Sequence, residues 1–252
     1  MGEAKRRKDQ GLPPKNKQSK GKVSGFAQLK NSAHSQSKKK ITNDEIKEKE
    51  ALVFIQEGKL NEAEEIYKQL VARGSQNHIV YGNLAGILQI KGHKEGQINL
   101  LKKALKLKPD YPEAHNNLGN ALKKQGDLSA AISAYQQAVK IKPNYPDALN
   151  NLGLALRKQG DLNSAIYSYK QALKYKPIYP EAHSNLGDAQ QEQSNLNAAV
   201  SSYQQALKLK PNFPEALVNL GLALQKLGDL HESISSFQQA LKLKPDFPEA
   251  LY

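Results

Sequence analysis

The sequence predicts an all-α solenoid, a stack of paired helices in which each pair covers its neighbour. Three observations predict it. First, one 34-residue unit recurs without insertions. Gly58, Gly92, Gly126, Gly160 and Gly228 share one point of the repeat, with Ser194 at the remaining one. Tyr67, Leu101, Tyr135, Tyr169, Tyr203 and Phe237 share a second, and Ala104, Ala138, Ala172, Ala206 and Ala240 a third. Pro109, Pro143, Pro177, Pro211 and Pro245 share a fourth. A period of this length marks a solenoid. Second, each unit holds two stretches with apolar residues at helical spacing. Third, glycine and proline fall between those stretches, where they end helices.

Six full units run 41–74, 75–108, 109–142, 143–176, 177–210 and 211–244, and residues 245–252 begin a seventh. In the first unit, Thr42 followed by Glu45 predicts a capping box. The charged run EIKEKE after it gives a terminal unit the polar outer face it needs. In the third unit, Asp110-Tyr111-Pro112 predicts a helix start with proline in the first turn. Ala114, Leu118 and Leu122 then lie on one stripe, and Gly126 suits the positive φ that closes the helix. Asp127 caps the second helix, whose stripe is Leu128, Ala131, Ile132, Tyr135, Ala138 and Val139. Lys140 and Lys142 suit its C-terminal dipole, and Pro143 stops it. No single pair can bury its own stripe, so the units must stack. The units are not identical. The first lacks the Asn-Leu-Gly run, the second has Gln97 where alanine is usual, and the fifth has Gln190 and Ser194 at apolar and glycine positions. Looser packing is expected in the fifth. The final PDFPEALY stops partway through a helix, leaving Leu241 and Leu243 poorly covered. That predicts self-association through this end, or a longer chain.

The unit LGNALKKQGDLSAAISAYQQAVKIKP resembles a tetratricopeptide repeat (TPR) through Leu118, Gly119, Leu122, Gly126, Ala131, Tyr135, Ala138 and Pro143. The resemblance extends over residues 41–252. With its HNNLG and HSNLG runs, the array is similar to that of O-linked N-acetylglucosamine transferase and to bacterial multi-TPR proteins. The resemblance implies a right-handed superhelix whose concave groove is lined by the first helix of each unit. It implies a non-catalytic protein–protein interaction scaffold that takes an extended peptide or partner segment in that groove. The alternative is the substrate-recruiting portion of a glycosyltransferase or sulfotransferase system whose catalytic domain is not in this chain.

Two polar features sit inside the predicted first helices. Gly119, Gly153, Gly187 and Gly221 let that helix approach the second closely, opposite Ala131, Ala165, Ala199 and Ser233. Asn83, Asn117, Asn151, Asn185 and Asn219 share one repeat point, which the resemblance places along the groove. An amide offers two donor protons and two acceptor lone pairs, matching the main chain of an extended ligand. The same amides also suit bonds to a neighbouring helix that fasten the stack, and the two roles are compatible. At one end of these helices stand Lys123, Lys124, Arg157, Lys158 and Lys226, and at the other Glu113, Asp147, Glu181 and Glu215. Lys124, Lys158 and Arg157 join the asparagines as candidate peptide contacts. Leu154, Leu222 and Val218 add apolar spots. Some TPR domains clamp a C-terminal carboxylate with Lys and Arg at the positions that are acidic here, which argues against that ligand.

Charge is unevenly placed. Residues 1–40 carry 12 Lys/Arg against 2 Asp/Glu, whereas the rest carries 25 against 22. That segment, with clusters at Lys5, Arg6, Arg7, Lys8 and Lys38, Lys39, Lys40, has too little apolar surface to fold. A disordered basic tail is expected. It serves as a solubilising arm or as a weak, sequence-independent contact with nucleic acid or an acidic surface. Cysteine is absent, so there are no disulfides or thiol chemistry. No secretory signal, membrane-length apolar run or myristoylation signal is present, so a cytoplasmic location and no membrane are expected. No phosphate-cradling loop, HExxH or GxSxG motif appears. His115 and His183 share a repeat point two units apart, too far to hold one metal. No enzyme activity, cofactor or metal is expected.

Overall fold

The computed structural model describes residues 42–93 and 96–246. The tail expected at residues 1–40 and the last residues of the partial seventh unit lie outside that range. All regular structure among the described residues is helical. Six pairs follow in order: α1 (Asn43–Gln56) with α2 (Leu60–Ala72), α3 (His78–Ile90) with α4 (Gln97–Leu107), α5 (Pro112–Gln125) with α6 (Leu128–Ile141), α7 (Pro146–Gln159) with α8 (Leu162–Tyr175), α9 (Pro180–Glu192) with α10 (Leu196–Leu209), and α11 (Pro214–Leu227) with α12 (Leu230–Leu243). Each second helix packs on its own first helix and on the first helix that follows. Successive first helices also touch, α3 with α5, α5 with α7, α7 with α9 and α9 with α11. They form the inner layer of the stack.

The local signals act as their chemistry dictates. Thr42 and Glu45 form the full capping box on α1. Asp127 and Asp161 accept from the backbone N–H of Ala130 and Ser164. Proline occupies the first turn of α5, α7, α9 and α11, where its missing N–H is no loss. Gly126 closes α5 at φ +96°, with paired bonds from the N–H groups of Gly126 and Asp127 to the carbonyls of Lys123 and Leu122. Ser194 takes the same left-handed geometry at φ +64° without glycine's freedom.

In units three to six the core is an aromatic ring set on a glycine. A Cβ added at Gly119, Gly153 or Gly187 would lie 2.5–2.6 Å from the ring of Tyr135, Tyr169 or Tyr203. One at Gly221 would lie 2.7 Å from Phe237. The expected partners, Ala131, Ala165, Ala199 and Ser233, are buried nearby, but the aromatic ring is what needs the space. This corrects the sequence expectation: Cβ-free glycine admits a ring, and a methyl there would overpack by about 1–3 kcal/mol. In the second unit the ring is replaced by Leu101, and Ala85 stands at the glycine point.

The fifth unit is not loosened. Gln190 is buried, and its Oε1 accepts from Ser202 Oγ at 2.6 Å, so a polar pair replaces an apolar contact with both partners satisfied. Gln97 is likewise buried and donates to Gln89.

Unit junctions carry a motif that the sequence reading passed over. Lys142 pairs with Glu113 at 3.2 Å and sits 4.8 Å from the ring centre of Tyr145. Lys176 does the same with Asp147 and Tyr179, and Lys210 with Glu181 and Phe213. Each lysine thus ties both ends of its own pair to the aromatic residue that opens the next. The acidic row at the start of the first helices is partly neutralised by these lysines, at Glu113, Asp147 and Glu181.

Candidate functional site

The asparagine row lies on the inner layer, and its members do not behave alike. Asn83 is fully enclosed (0% exposed) and donates to Tyr67 Oη at 3.0 Å. In the first unit Ala51 stands at the glycine point, and the Tyr67 hydroxyl accepts from this next-unit amide. Asn83 therefore offers nothing to a ligand lying on the surface, which corrects its place among the candidate contacts. Asn117 is 6% exposed and presents little more. Asn151, Asn185 and Asn219 are only partly buried. Asn151 Nδ2 donates to Asn116 Oδ1 and Asn185 Nδ2 to Asn150 Oδ1, both at 3.0 Å. Asn219 Nδ2 donates to Asp188 Oδ1 at 2.9 Å. Each amide reaches back to the preceding unit with one donor. Its Oδ1 and second proton have no partner among the described residues.

Asn116 and Asn150 supply two of those acceptors, and the sequence reading gave them no role. Their signal was present, since each precedes a ladder asparagine in an Asn-Asn pair. His115 and His183 are loop clasps: their Nε2 atoms lie 2.9 and 3.2 Å from the carbonyls of Pro109 and Pro177.

The basic group converges on one cleft of about 540 Å³, lined by Lys123, Lys124, Leu154, Arg157, Lys158 and Glu192. It lies where the C-terminal turns of α5 and α7 meet the end of α9. Arg157 is held by Asp188 at 2.5 Å and Glu192 at 3.6 Å. Asp188 in turn accepts from Tyr203 Oη at 3.0 Å and from Asn219, so one carboxylate joins units four, five and six. Burial, then the charges of Lys124 and Lys158, holds the Lys123 ammonium below the usual lysine range. Lys226 is not among the cleft's lining residues.

A model of the TPR repeat matches residues 90–126, 119–160, 153–194 and 192–228, and a tetratricopeptide-repeat model matches 214–247. The chain belongs to the tetratricopeptide-repeat family. No curated protein matches it in sequence. Among solved structures this TPR array is similar to MamA, at 25% identity and TM-score 0.61 over 64% of this chain and 95% of that one. It is also similar to YrrB, described as a TPR protein with an unusual peptide-binding site, at 20% identity and TM-score 0.63, covering 73% and 95%. Pseudomonas aeruginosa pilF aligns at 17% identity and TM-score 0.71, covering 82% and 94%. None of the described helices of the TPR array is long and apolar enough to cross a membrane.

Proposed function

We propose that this TPR array is a non-catalytic scaffold that holds an extended peptide or partner segment along its inner layer. Asn151, Asn185 and Asn219 contact the ligand main chain, and Lys124, Arg157 and Lys158 contact its side chains. One observation carries the reading: three half-buried amides, one per unit, each use a single donor to fasten the stack and keep an acceptor and a second donor unused. A peptide main chain entering a water-poor groove needs both kinds of partner. The solenoid supports it as well, because a curved stack offers an extended concave surface. YrrB, similar in fold, is described as having a peptide-binding site.

The test is Asn151→Ala, Asn185→Ala and Asn219→Ala combined, probed on an array of short extended peptides. Capture is expected to fall across unrelated peptide sequences while far-UV circular dichroism keeps its helical signal. Capture equal to that of the parent chain would return these amides to a purely fastening role.

A further inference from the structure

We propose that the basic cleft selects a peptide segment in which an acidic side chain stands next to an apolar one. This rests on the reading of the inner layer as a peptide groove and adds the chemistry of the ligand.

The cleft holds an unanswered charge. Of its four cations only Arg157 has carboxylates at hand, Asp188 and Glu192. Lys123, Lys124 and Lys158 have no carboxylate within ion-pair distance among the described residues, whereas the lysines at the unit junctions do. Lys123 is partly buried beside two like charges. A carboxylate placed among the three would relieve that repulsion where water is partly excluded.

The charge is not a by-product of the repeat. Units three and four carry Lys123-Lys124 and Arg157-Lys158 at these points. The unit before carries Gln89-Ile90, and those after carry Gln191-Glu192 and Gln225-Lys226. A basic pair occurs in two adjacent units only, those that share the cleft.

Leu154 supplies the second half of the specificity. The units on either side place Asn120 and Asp188 at this point, and each accepts from the ring hydroxyl of its own unit, Tyr135 or Tyr203. Leu154 cannot accept, and the buried Tyr169 Oη has no hydrogen-bond partner among the described residues. Internally the leucine is the wrong residue, since an unmet buried polar group destabilises. Its use is in the cleft, where it is the one apolar side chain among basic walls. An apolar floor flanked by cations fits an apolar side chain with a carboxylate beside it.

A nucleic acid fits less well. Glu192 stands in the wall against a continuous polyanion, and none of the six lining residues is aromatic, so bases find no stacking platform.

The experiment follows fluorescence anisotropy of the intact chain with a labelled Gly/Ser peptide carrying a central Leu-Glu pair. Comparison peptides carry Leu-Lys or Ser-Glu, and unlabelled oligothymidylate and inorganic phosphate serve as competitors. The Leu-Glu probe is expected to bind about tenfold tighter than either comparison peptide. It should lose about tenfold when Lys123→Gln and Lys158→Gln are combined. Lys140→Gln, an exposed lysine outside the cleft, should leave binding unchanged. Equal binding of Leu-Glu and Leu-Lys, or no effect of the paired cleft substitutions in a chain of normal helical content, overturns the proposal. So does full displacement by phosphate or by oligothymidylate at matched charge. The wider groove reading is judged separately. If all peptides bind alike and the triple asparagine variant weakens all of them, the groove survives and the cleft preference does not. If none binds, both fall.

Discussion

Leu154 leaves the hydroxyl of Tyr169 without a hydrogen-bond partner among the described residues, buried inside a helix pair whose neighbours both satisfy the equivalent group. The sixth unit resolves the same conflict from the other side: Leu222 stands at the acceptor point, and the ring is Phe237. Among units three to six, ring and acceptor therefore match in three, five and six and mismatch in four; in unit one, where Leu52 stands at the acceptor point, the Tyr67 hydroxyl is met by Asn83 of the next unit.

Tyr169→Phe is expected to stabilise the fold by about 1 kcal/mol, because it removes an unmet polar group and keeps the ring on Gly153. Tyr135→Phe and Tyr203→Phe should each destabilise by about 1 kcal/mol, since each breaks a bond to Asn120 or Asp188. Urea midpoints at unchanged slope separate these signs. Loss of stability in Tyr169→Phe would mean that the hydroxyl has a partner after all.

Asp188 is the point at which three units depend on one side chain. Asp188→Ala removes the main partner of Arg157, the acceptor of Asn219 and the closer of two acceptors of Tyr203. Arg157 would retain only Glu192, at 3.6 Å. A loss of about 2–3 kcal/mol is expected, more than for an exposed ion pair, because partly buried donors are left unmet. Hydrogen exchange should speed up in α9 and α11 while α3 is unaffected, since coupling in a solenoid passes between neighbours. A uniform response along the array would rule out this local role.

What could be read from the sequence was whatever repeats. The Gly126 stop, the Asp127 cap and the Pro112 start each follow from one residue's own chemistry, and their recurrence in several units made them plain. Contacts between helices were harder. Gly119 was seen to need space, but the ring of Tyr135, sixteen residues on, fills it, and helical spacing alone does not say which side chain arrives. Gln190 looked like a defect because its answer, Ser202, sits on the other helix of the pair. Asn83 looked like its four counterparts, yet Leu52 stands at the acceptor point of the first unit, and the Tyr67 hydroxyl accepts from Asn83 instead. The cleft was hidden for a similar reason. Its basic residues were read as one end of a row, and only the stacked geometry brings them around Leu154.

Lys123 should make stability depend on alkaline pH in a direction its neighbours fix. The charges lining its cleft are Lys124 on its own helix, Arg157 and Lys158 from α7, and Glu192 from α9. Burial first, then Lys124 and Lys158, lowers its pKa from the ordinary 10.5. Below the lowered folded value the amine is protonated in both the folded and the unfolded chain, and the fold bears the full repulsion. As pH rises through the lowered folded value, the native state releases its proton first. The unfolded state then binds more protons, so stability rises with pH until the ordinary value is reached. Lys123→Gln removes this contribution. The stability of the parent chain relative to Lys123→Gln is therefore expected to climb as pH rises from the lowered folded value towards the ordinary 10.5. Urea midpoints measured in parallel across that interval check it. A flat difference would show that the ammonium is not crowded. A falling one would mean that a carboxylate such as Glu192 outweighs the lysines beside it.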